Sequence, residues 1–163
     1  MLIYTFSDFH IHPHQQFATT NQYGINSRLW ECIEAFDKII EHARKDRPST
    51  IIFSGDFFHQ MKVDAITLDL AIGRLRSLRE ITTIIGIAGN HGMVHEPINA
   101  HIEKCLEKEF DWFFIPRYIT EPSTYITYGV IPYYKDAKVA ECFLNENSDK
   151  FDIAIIHQGV NGA

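Results

Sequence analysis

Short apolar runs recur along this sequence, and longer segments separate them. Four of the runs have the β-branched and aromatic content that buried strands favour. They cover residues 2–6, 50–54, 82–87 and 151–156. Each is followed by polar residues or glycine, which is typical of a strand that ends in a loop. The first run is therefore predicted to be a buried strand that leads into a loop.

The longer segments show the spacing of helices. In residues 28–45, Leu29, Ile33 and Phe36 recur at helical intervals, and a proline follows the segment. Residues 63–78 form a second predicted helix, with Ile66 among the residues near its inner face. Strands separated by helices of this length predict a layered α/β fold, in which β-sheets are flanked by helices.

The rest of the chain adds shorter elements. Residues 98–107 and 135–145 are predicted to be helical. Residues 113–134 are rich in aromatic and β-branched side chains and are broken by three prolines and a glycine, which predicts short strands. Because 163 residues are roughly one domain in length and no linker or repeat occurs, residues 1–163 are predicted to form a single domain.

The composition is that of an ordinary globular protein, with 45% hydrophobic and 22% charged residues. No run of about 18 apolar residues and no export signal occurs. The cysteines Cys32, Cys105 and Cys142 are odd in number and lack C-x-x-C spacing, so neither a disulfide framework nor a structural zinc site is indicated. We expect a location in the cytoplasm or at the nucleoid, and no membrane partner.

The formal net charge of −6 argues against a general nucleic-acid binder, because phosphate contacts normally come from an excess of lysine and arginine. Two bound divalent cations, with a combined charge of +4, would leave −2. The basic groups within residues 44–47 and 74–79 offer contacts to a phosphate backbone. Solvated helix faces are the more ordinary interpretation of such groups.

Residue types that can bind metal ions follow the first two predicted strands. Asp8 and His10 come after the first strand, and the single residue between them lets both side chains reach one centre. Asp56 comes after the second strand and is preceded by Gly55, which permits a tight turn. The two carboxylate oxygens of Asp56 can bridge two cations.

The third and fourth strands supply amide and imidazole groups. Asn90 offers a carbonyl oxygen, and its neighbour His91 can bind a metal or donate a proton. His157 directly follows the fourth strand. Each motif alone is more often a turn or a structural histidine. All four fall at carboxyl ends of strands, where α/β sheets place their ligands, so the sequence predicts a metal site there.

In type, order and position these motifs resemble the calcineurin-like metallophosphoesterase family over nearly the whole chain. Residues 55–59 are similar to the G-D-x-F-H form found in the SbcD-type nuclease subunits of that family. Arg28 and the segment 157–159 resemble the same subgroup. The resemblance implies a metallophosphoesterase fold and a metal-dependent phosphodiester hydrolase. Its finer form implies a DNA exonuclease or endonuclease of DNA repair, recombination or replication.

The resemblance also implies the ligands of two divalent cations. Asp8 and His10 would bind one cation, Asp56 would bridge both, and Asn90 and His157 would bind the second. The family suggests Mn²⁺, with Fe²⁺, Zn²⁺ or Mg²⁺ as alternatives, because geometry and availability decide among metals at such mixed sites. Two cations about 4 Å apart would polarise a phosphodiester and activate water.

Two histidines are implied to act in catalysis without binding metal. His91 is similar to the family histidine that assists the leaving oxygen, and imidazole is a common general acid. His59 matches an additional histidine of the nuclease subgroup, which would contact the scissile phosphate or its leaving group. His12 and His14 flank a proline and are expected in an exposed loop, with substrate or metal contact as the less favoured alternative.

Two features depart from the family pattern. Gly92 stands where the family often has an acidic residue that could orient the preceding histidine. Family members also carry a G-H-x-H segment on a later strand, and none follows His157 here. We therefore expect a fold that is incomplete at its C-terminal end, as in the N-terminal part of a longer protein, and reduced metal affinity.

By the same resemblance, the expected partners are DNA and an SMC-like ATPase subunit of the SbcC type, with a homodimer as a further option. Two other interpretations stay open. A metallophosphatase or cyclic-nucleotide phosphodiesterase on the same fold would prefer small phosphate esters to DNA. A chain that keeps the fold without a competent site would be a binding or assembly fragment.

Overall fold

The computed structural model describes residues 1–93 and 100–159 of the chain. Its strands are β1 (Ile3–Phe6), β2 (Thr50–Phe53), β3 (Thr83–Ile87), β4 (Asp111–Phe113), β5 (Arg117–Thr120), β6 (Thr127–Ile131) and β7 (Ile153–Ile156). Its helices are α1 (Ser27–Asp46), α2 (Ala65–Arg79) and α3 (Lys138–Asn147), and a 3₁₀-helix covers Ile102–Cys105. This mixed α/β architecture confirms the predicted fold class.

The strands form two sheets. The first has the order β1-β2-β3-β4 and is parallel throughout. The second has the order β5-β6-β7, in which β6 pairs antiparallel with β5 and parallel with β7. Because β1, β2 and β3 run in one direction, the loops that follow them meet at one edge of the first sheet.

Each face of the first sheet is covered. Helices α1 and α2 contribute apolar side chains to one core, among them Ile33, Phe36 and Leu75, which are fully buried. The other core lies between the sheets and joins Ile52, Ile85 and Ile87 to Tyr128, Val130 and Ile155. The order of helices, sheet and second sheet is the layered arrangement that the alternation of elements predicts.

The burial of two elements differs from the sequence expectations. The predicted buried strand at the start of the chain is an edge strand, and its four side chains are only partly buried or exposed. Ile66, expected on the inner face of α2, is 57% exposed, because the buried stripe of that helix instead begins at Thr67. The hydroxyl of Thr67 is satisfied by the capping carboxylate of Asp64 at 2.7 Å, which permits its burial.

The predicted helix over residues 98–107 is also wrong for its described part, which contains only the short 3₁₀-helix. The backbone N–H of Glu103 donates to the ring of His101 at 3.2 Å. This bond makes His101 the N-cap of the 3₁₀-helix, so in the described part the helix begins only at Ile102. Residues 98 and 99 of the predicted helix lie outside the described residues.

None of the helices in residues 1–93 and 100–159 combines the length and apolarity needed to cross a membrane.

Gly73 lies inside α2, where an added Cβ would meet no atom within 4 Å. Gly73→Ala should raise the free energy of unfolding by about 0.5–1 kcal/mol, because alanine loses less backbone entropy in a helix. Urea unfolding measures this change. The matched control is Gly129→Ala, whose Cβ would lie 2.7 Å from the ring of Phe151 and should destabilise the fold. A Gly73→Ala protein less stable than the wild type would contradict the prediction.

Glu121 follows β5 and accepts three hydrogen bonds of 2.7 Å, from the hydroxyl of Ser123 and from the amide and hydroxyl of Thr124. Burial acts to raise the pKa of Glu121, but these donors hold it at about 2. Because this pKa is lower than the value of 4.5 expected without them, the carboxylate stabilises the fold above about pH 4.5. That stabilisation is lost as the pH falls toward 2.

Glu121→Gln should therefore lower the free energy of unfolding at pH 7 by about 1–3 kcal/mol, the usual effect of losing hydrogen bonds to a charged acceptor. It should also flatten the decline of stability between pH 4.5 and 2. Urea unfolding at several pH values tests both effects, with exposed Glu141 as the control position. An unchanged acid decline in Glu121→Gln would show that this carboxylate does not cause it.

Candidate metal centre

The loops after β1 and β2 stay paired beyond the ends of their strands. The amide of Asp8 donates to the carbonyl of Gly55 at 3.2 Å, and the amide of His10 donates to the carbonyl of Asp56 at 2.9 Å. Asp8, His10 and Asp56 have φ values of 54°, 50° and 53°. Such left-handed backbone is uncommon outside glycine and clusters at functional sites.

Asp56 is the centre of this arrangement and is only 2% exposed. Its Oδ2 lies 4.0 Å from Nε2 of His10, 3.9 Å from Nε2 of His91 and 3.4 Å from Nε2 of His157. Burial acts to raise the pKa of Asp56, but hydrogen bonds from the His157 ring and the His91 amide lower it overall. Asp56 is thus an ionised carboxylate surrounded by imidazoles.

Two pairs of donor atoms flank Asp56. Nε2 of His10 lies 3.7 Å from Oδ1 of Asp8. Nε2 of His157 lies 3.0 Å from Oδ1 of Asn90. Ligands that share one cation at about 2.1 Å lie about 3–4 Å from each other. The spacing of both pairs fits the ligand sets that the sequence predicts for two cations.

Among the described residues, two sets of three side chains could each hold a metal ion, because the ligand atoms within each set lie within 4.8 Å of one another. One group consists of Asp8, Asp56 and His157, and the other consists of His10, His59 and His91. Nδ1 of His10 and Nδ1 of His59 are buried without a hydrogen-bond partner among the described residues. Nε2 of His10 faces the carboxylates of Asp8 and Asp56, so Nε2 is the atom that would bind a cation, and Nδ1 is left without the partner that buried ring nitrogens normally have.

His91 is oriented by the backbone rather than by a neighbouring acid. Its Nδ1 lies 3.0 Å from the carbonyl oxygen of His59, which can only accept, so Nδ1 carries the proton. This bond turns Nε2 toward Asp56. A Cβ at Gly92 would lie 2.3 Å from the ring of His101, so a larger residue has no space there. The carbonyl of His59 thus orients the His91 ring, which in the family is often oriented by an acidic residue at the position of Gly92.

His157 reaches the centre from the second sheet. Its Nδ1 donates to the carbonyl oxygen of Ser54 at 2.7 Å, which leaves Nε2 toward Asp56 and Asn90. The pKa of His157 is raised, chiefly by its hydrogen bond to Asp56. The ring occupies the space beside Gly55, where a Cβ would lie 2.2 Å from Nδ1. A glycine at position 55 is therefore required by the close approach of His157.

His12 and His14 are half-buried against the candidate site. Their ring centroids lie 5.2 Å and 4.8 Å from that of His59. The pKa of His59 is lowered, first by burial and then by the neighbouring histidines, and the pKa of His12 is lowered in the same way. The expectation of an exposed loop is wrong for both residues. The regular spacing of histidines at positions 10, 12 and 14 was the available signal.

Sequence reasoning also missed His101 and Glu103, which are 5% and 0% exposed. Burial lowers the pKa of His101 and raises the pKa of Glu103 to about 7, although Glu103 receives hydrogen bonds that oppose the shift. Both residues fall in a segment for which the sequence predicts a helix. No local pattern there distinguishes a buried carboxylate from a solvated one.

The basic groups considered for DNA contact do not line this centre. Arg74 pairs with Asp37 at 3.0 Å, and Arg76 pairs with Glu109 at 3.0 Å. Residues 44–47 lie where α1 ends and the chain turns toward the start of β2. That is the opposite end of the sheet from the ligand loops. The ordinary interpretation of these groups as helix-surface charges is the one the structure supports.

Comparison with known proteins decides the family. The model of the calcineurin-like phosphoesterase family matches residues 1–163. The chain belongs to this family. Calcineurin-like phosphoesterases are hydrolases that generally bind two divalent metal ions.

This phosphoesterase is also similar to a curated protein, the DNA double-strand break repair protein Mre11 of Aeropyrum pernix. The two are 26% identical over 124 residues, which cover 69% of this chain and 30% of the relative. The chain thus spans less than a third of the length of the curated relative that it matches.

Proposed function

We propose that this calcineurin-like phosphoesterase is a two-metal phosphodiester hydrolase, and specifically a DNA exonuclease or endonuclease of the SbcD type. The observation that carries the proposal is the surroundings of Asp56. One oxygen of this buried carboxylate has three imidazole nitrogens within 4.0 Å, and a second carboxylate and an amide oxygen lie beside them. Such mixed oxygen and nitrogen donors suit divalent transition metals.

Asp56 is proposed to bridge two cations, with Asp8 and His10 as ligands of one and Asn90 and His157 as ligands of the other. Mn²⁺ is the first choice, and Fe²⁺, Zn²⁺ and Mg²⁺ are alternatives. When bound, the cations would supply Lewis acidity and activate water at neutral pH. The hydrogen bond from His157 to Ser54 fixes the ring so that Nε2 is the nitrogen turned toward Asp56 and Asn90.

His91 and His59 are proposed to act on the substrate itself. Because Nδ1 of His91 is held by the carbonyl of His59, Nε2 is the atom that would give a proton to the leaving oxygen. The ring of His59 lies between His91 and the rings of His12 and His14. This position supports the proposal that His59 contacts the phosphate or its leaving group.

DNA is proposed as the substrate because residues 55–59 resemble the nuclease form of the motif and because a DNA double-strand break repair protein is similar to this chain. With the basic groups within residues 44–47 and 74–79 away from the centre, the cations would provide most of the positive charge that receives a phosphodiester. An SMC-like ATPase subunit of the SbcC type is the proposed partner, and the cytoplasm or nucleoid the proposed location.

The test of this function compares three substrates in the presence of Mn²⁺. Labelled single- and double-stranded DNA are incubated with the chain beside bis(p-nitrophenyl) phosphate, a generic phosphodiester. We expect cleavage of DNA that requires Mn²⁺ and stops in chelator. Hydrolysis of the small ester alone would favour a phosphatase or cyclic-nucleotide phosphodiesterase. A folded chain without either activity would favour a binding or assembly role.

His91→Ala separates the proposed proton donor from the metal ligands. Turnover should fall by about 10²–10⁴-fold, the usual contribution of a general acid, whereas Mn²⁺ affinity should stay near that of the wild type. Initial rates and calorimetric Mn²⁺ titration measure the two quantities. His42→Ala, at an exposed position on α1, is the control and should change neither. A His91→Ala protein that no longer binds Mn²⁺ would make His91 a ligand instead.

A further inference from the structure

A fully buried carboxylate lies behind the loop that follows β2. Oε1 of Glu103 accepts hydrogen bonds from the backbone amides of Phe57 at 3.0 Å and Phe58 at 3.4 Å. Oε2 accepts from the indole N–H of Trp112 at 2.9 Å. The two amides follow Asp56 directly in the chain. The position of the loop is therefore set by a side chain some 45 residues later in the sequence.

His101 makes the corresponding contact to the loop that follows β3. The amide of Glu103 donates to Nδ1 of His101, so Nε2 carries the proton and donates to the carbonyl oxygen of Gly89 at 3.1 Å. Gly92 leaves room for this ring, since a Cβ at that position would lie 2.3 Å from it. Gly89 and Gly92 enclose Asn90 and His91, so the ring bonds one end of the segment that carries them and lies beside the other.

The two loops are also in direct contact. The amide of His91 donates to Oδ1 of Asp56 at 2.9 Å, and a Cβ at Gly89 would lie only 2.1 Å from the same oxygen. Displacement of either loop would therefore displace the other. A carboxylate buried among Phe57, Phe58 and Trp112 is costly to desolvate, and an apolar residue of similar volume would often serve stability equally well. The hydrogen bonds to the loop give this carboxylate a geometric role.

We propose that Glu103 is a positioning residue of the metal centre. Through the amides of Phe57 and Phe58 its carboxylate fixes the direction of Asp56. Asp56 in turn accepts the amide of His91, which joins this loop to the one that carries Asn90. The proposal rests on the proposed function, because Asp56 and Asn90 are proposed ligands. Glu103 is fully buried and acts only through these neighbours, as hydrogen-bonding groups behind metal ligands commonly do.

Glu103→Gln in the full chain tests this role. Glutamine keeps the size of the side chain, but one end of it is an NH₂ group. This donor would face either the loop amides or the indole N–H, which are donors themselves, so at least one hydrogen bond is lost. We expect the Mn²⁺ Kd from calorimetric titration to rise by about 10- to 100-fold, the usual effect of removing such a partner. Hydrogen exchange of residues 55–59 should also become faster, while circular dichroism stays that of the folded protein.

Leu78→Val is the matched control for stability. Leu78 is fully buried near the end of α2, at the opposite end of the sheet from the ligand loops. The substitution should lower Tm and leave both the Mn²⁺ Kd and the hydrogen exchange of residues 55–59 unchanged. A general loss of stability is thereby separated from a loss of positioning.

The outcomes distinguish the two proposals. Wild-type binding of Mn²⁺ together with an unchanged Kd in folded Glu103→Gln overturns the positioning role and leaves the metal centre standing. A wild-type chain that binds no Mn²⁺ overturns the metal centre and the positioning role with it. If Glu103→Gln does not fold, Glu103→Asp decides, because it keeps the charge but its shorter side chain draws the carboxylate away from the amides of Phe57 and Phe58. An unchanged Kd in that variant overturns the role.

Discussion

Asp56→Asn should lower Mn²⁺-dependent phosphodiester hydrolysis by about a thousandfold or more. The amide keeps the size of the side chain and an oxygen for the amide of His91, but it removes the charge that faces the three imidazoles. A neutral side chain cannot bridge two cations as a carboxylate can, and loss of two-metal stabilisation of a transition state amounts to several kcal/mol. Initial rates on labelled DNA and on bis(p-nitrophenyl) phosphate measure the effect.

The matched control is Asp149→Asn, which removes the same charge at an exposed position beyond α3. It should leave the rates unchanged within about twofold, since Asp149 is exposed and precedes β7, whereas His157 follows the other end of that strand. Asp56→Asn should also lower the number of Mn²⁺ ions bound at saturation. Full activity in Asp56→Asn would exclude the buried carboxylate as the bridging ligand.

Gly55→Ala should damage both the fold and the metal centre. The new Cβ would lie 2.2 Å from Nδ1 of His157, and the φ of 105° at this position is strained for any residue with a side chain. Overpacking and backbone strain together should lower the free energy of unfolding by about 2–5 kcal/mol. The ring of His157 would lose its bond to Ser54, so Mn²⁺ affinity should fall as well.

Gly24→Ala isolates the contribution of the backbone. Gly24 also has a positive φ, 75°, but no atom lies within 4 Å of its Cβ position. The Gly24→Ala protein should lose about 1–2 kcal/mol of its free energy of unfolding, from backbone strain alone, and should keep wild-type Mn²⁺ binding. The difference between the two variants in urea unfolding then measures the collision with His157. Wild-type Mn²⁺ affinity in Gly55→Ala would show that His157 is not held where the structure has it.

The fold was predictable because its signals are local. The runs at residues 50–54 and 82–87 are rich in isoleucine and threonine, and they form β2 and β3 to within one residue at each end. Strand burial was less predictable, because the sequence of β1 does not reveal that, among the described strands, only β2 pairs with it. On α2, Ile66 was misplaced because Thr67 takes a buried position that only its bond to Asp64 makes favourable.

The candidate site was predictable where the ligands follow strands directly. Asp8, Asp56, Asn90 and His157 each lie at the carboxyl end of a strand, and parallel strands bring such positions together whatever the rest of the chain does. Their assignment as ligands remains a prediction. The geometry adds that their donor atoms are spaced as ligands of shared cations are.

What the sequence did not reveal depends on long-range contacts. His12 and His14 pack on His59 because the loop after β1 stays paired with the loop after β2, as in the bond from the amide of Ile11 to the carbonyl of Phe57. Glu103 meets the loop after β2 only through the fold. Neither contact has a signature in the surrounding residues, since imidazole and carboxylate groups in loops and helices are ordinarily solvated.

Mn²⁺ binding followed by electron paramagnetic resonance tests the central claim most directly. At saturation, the account predicts two Mn²⁺ ions per chain with the magnetic coupling of ions that share a bridging ligand, and loss of that coupling in Asp56→Asn. A chain that binds no Mn²⁺ at millimolar concentration, or that binds isolated ions unaffected by Asp56→Asn, would contradict it.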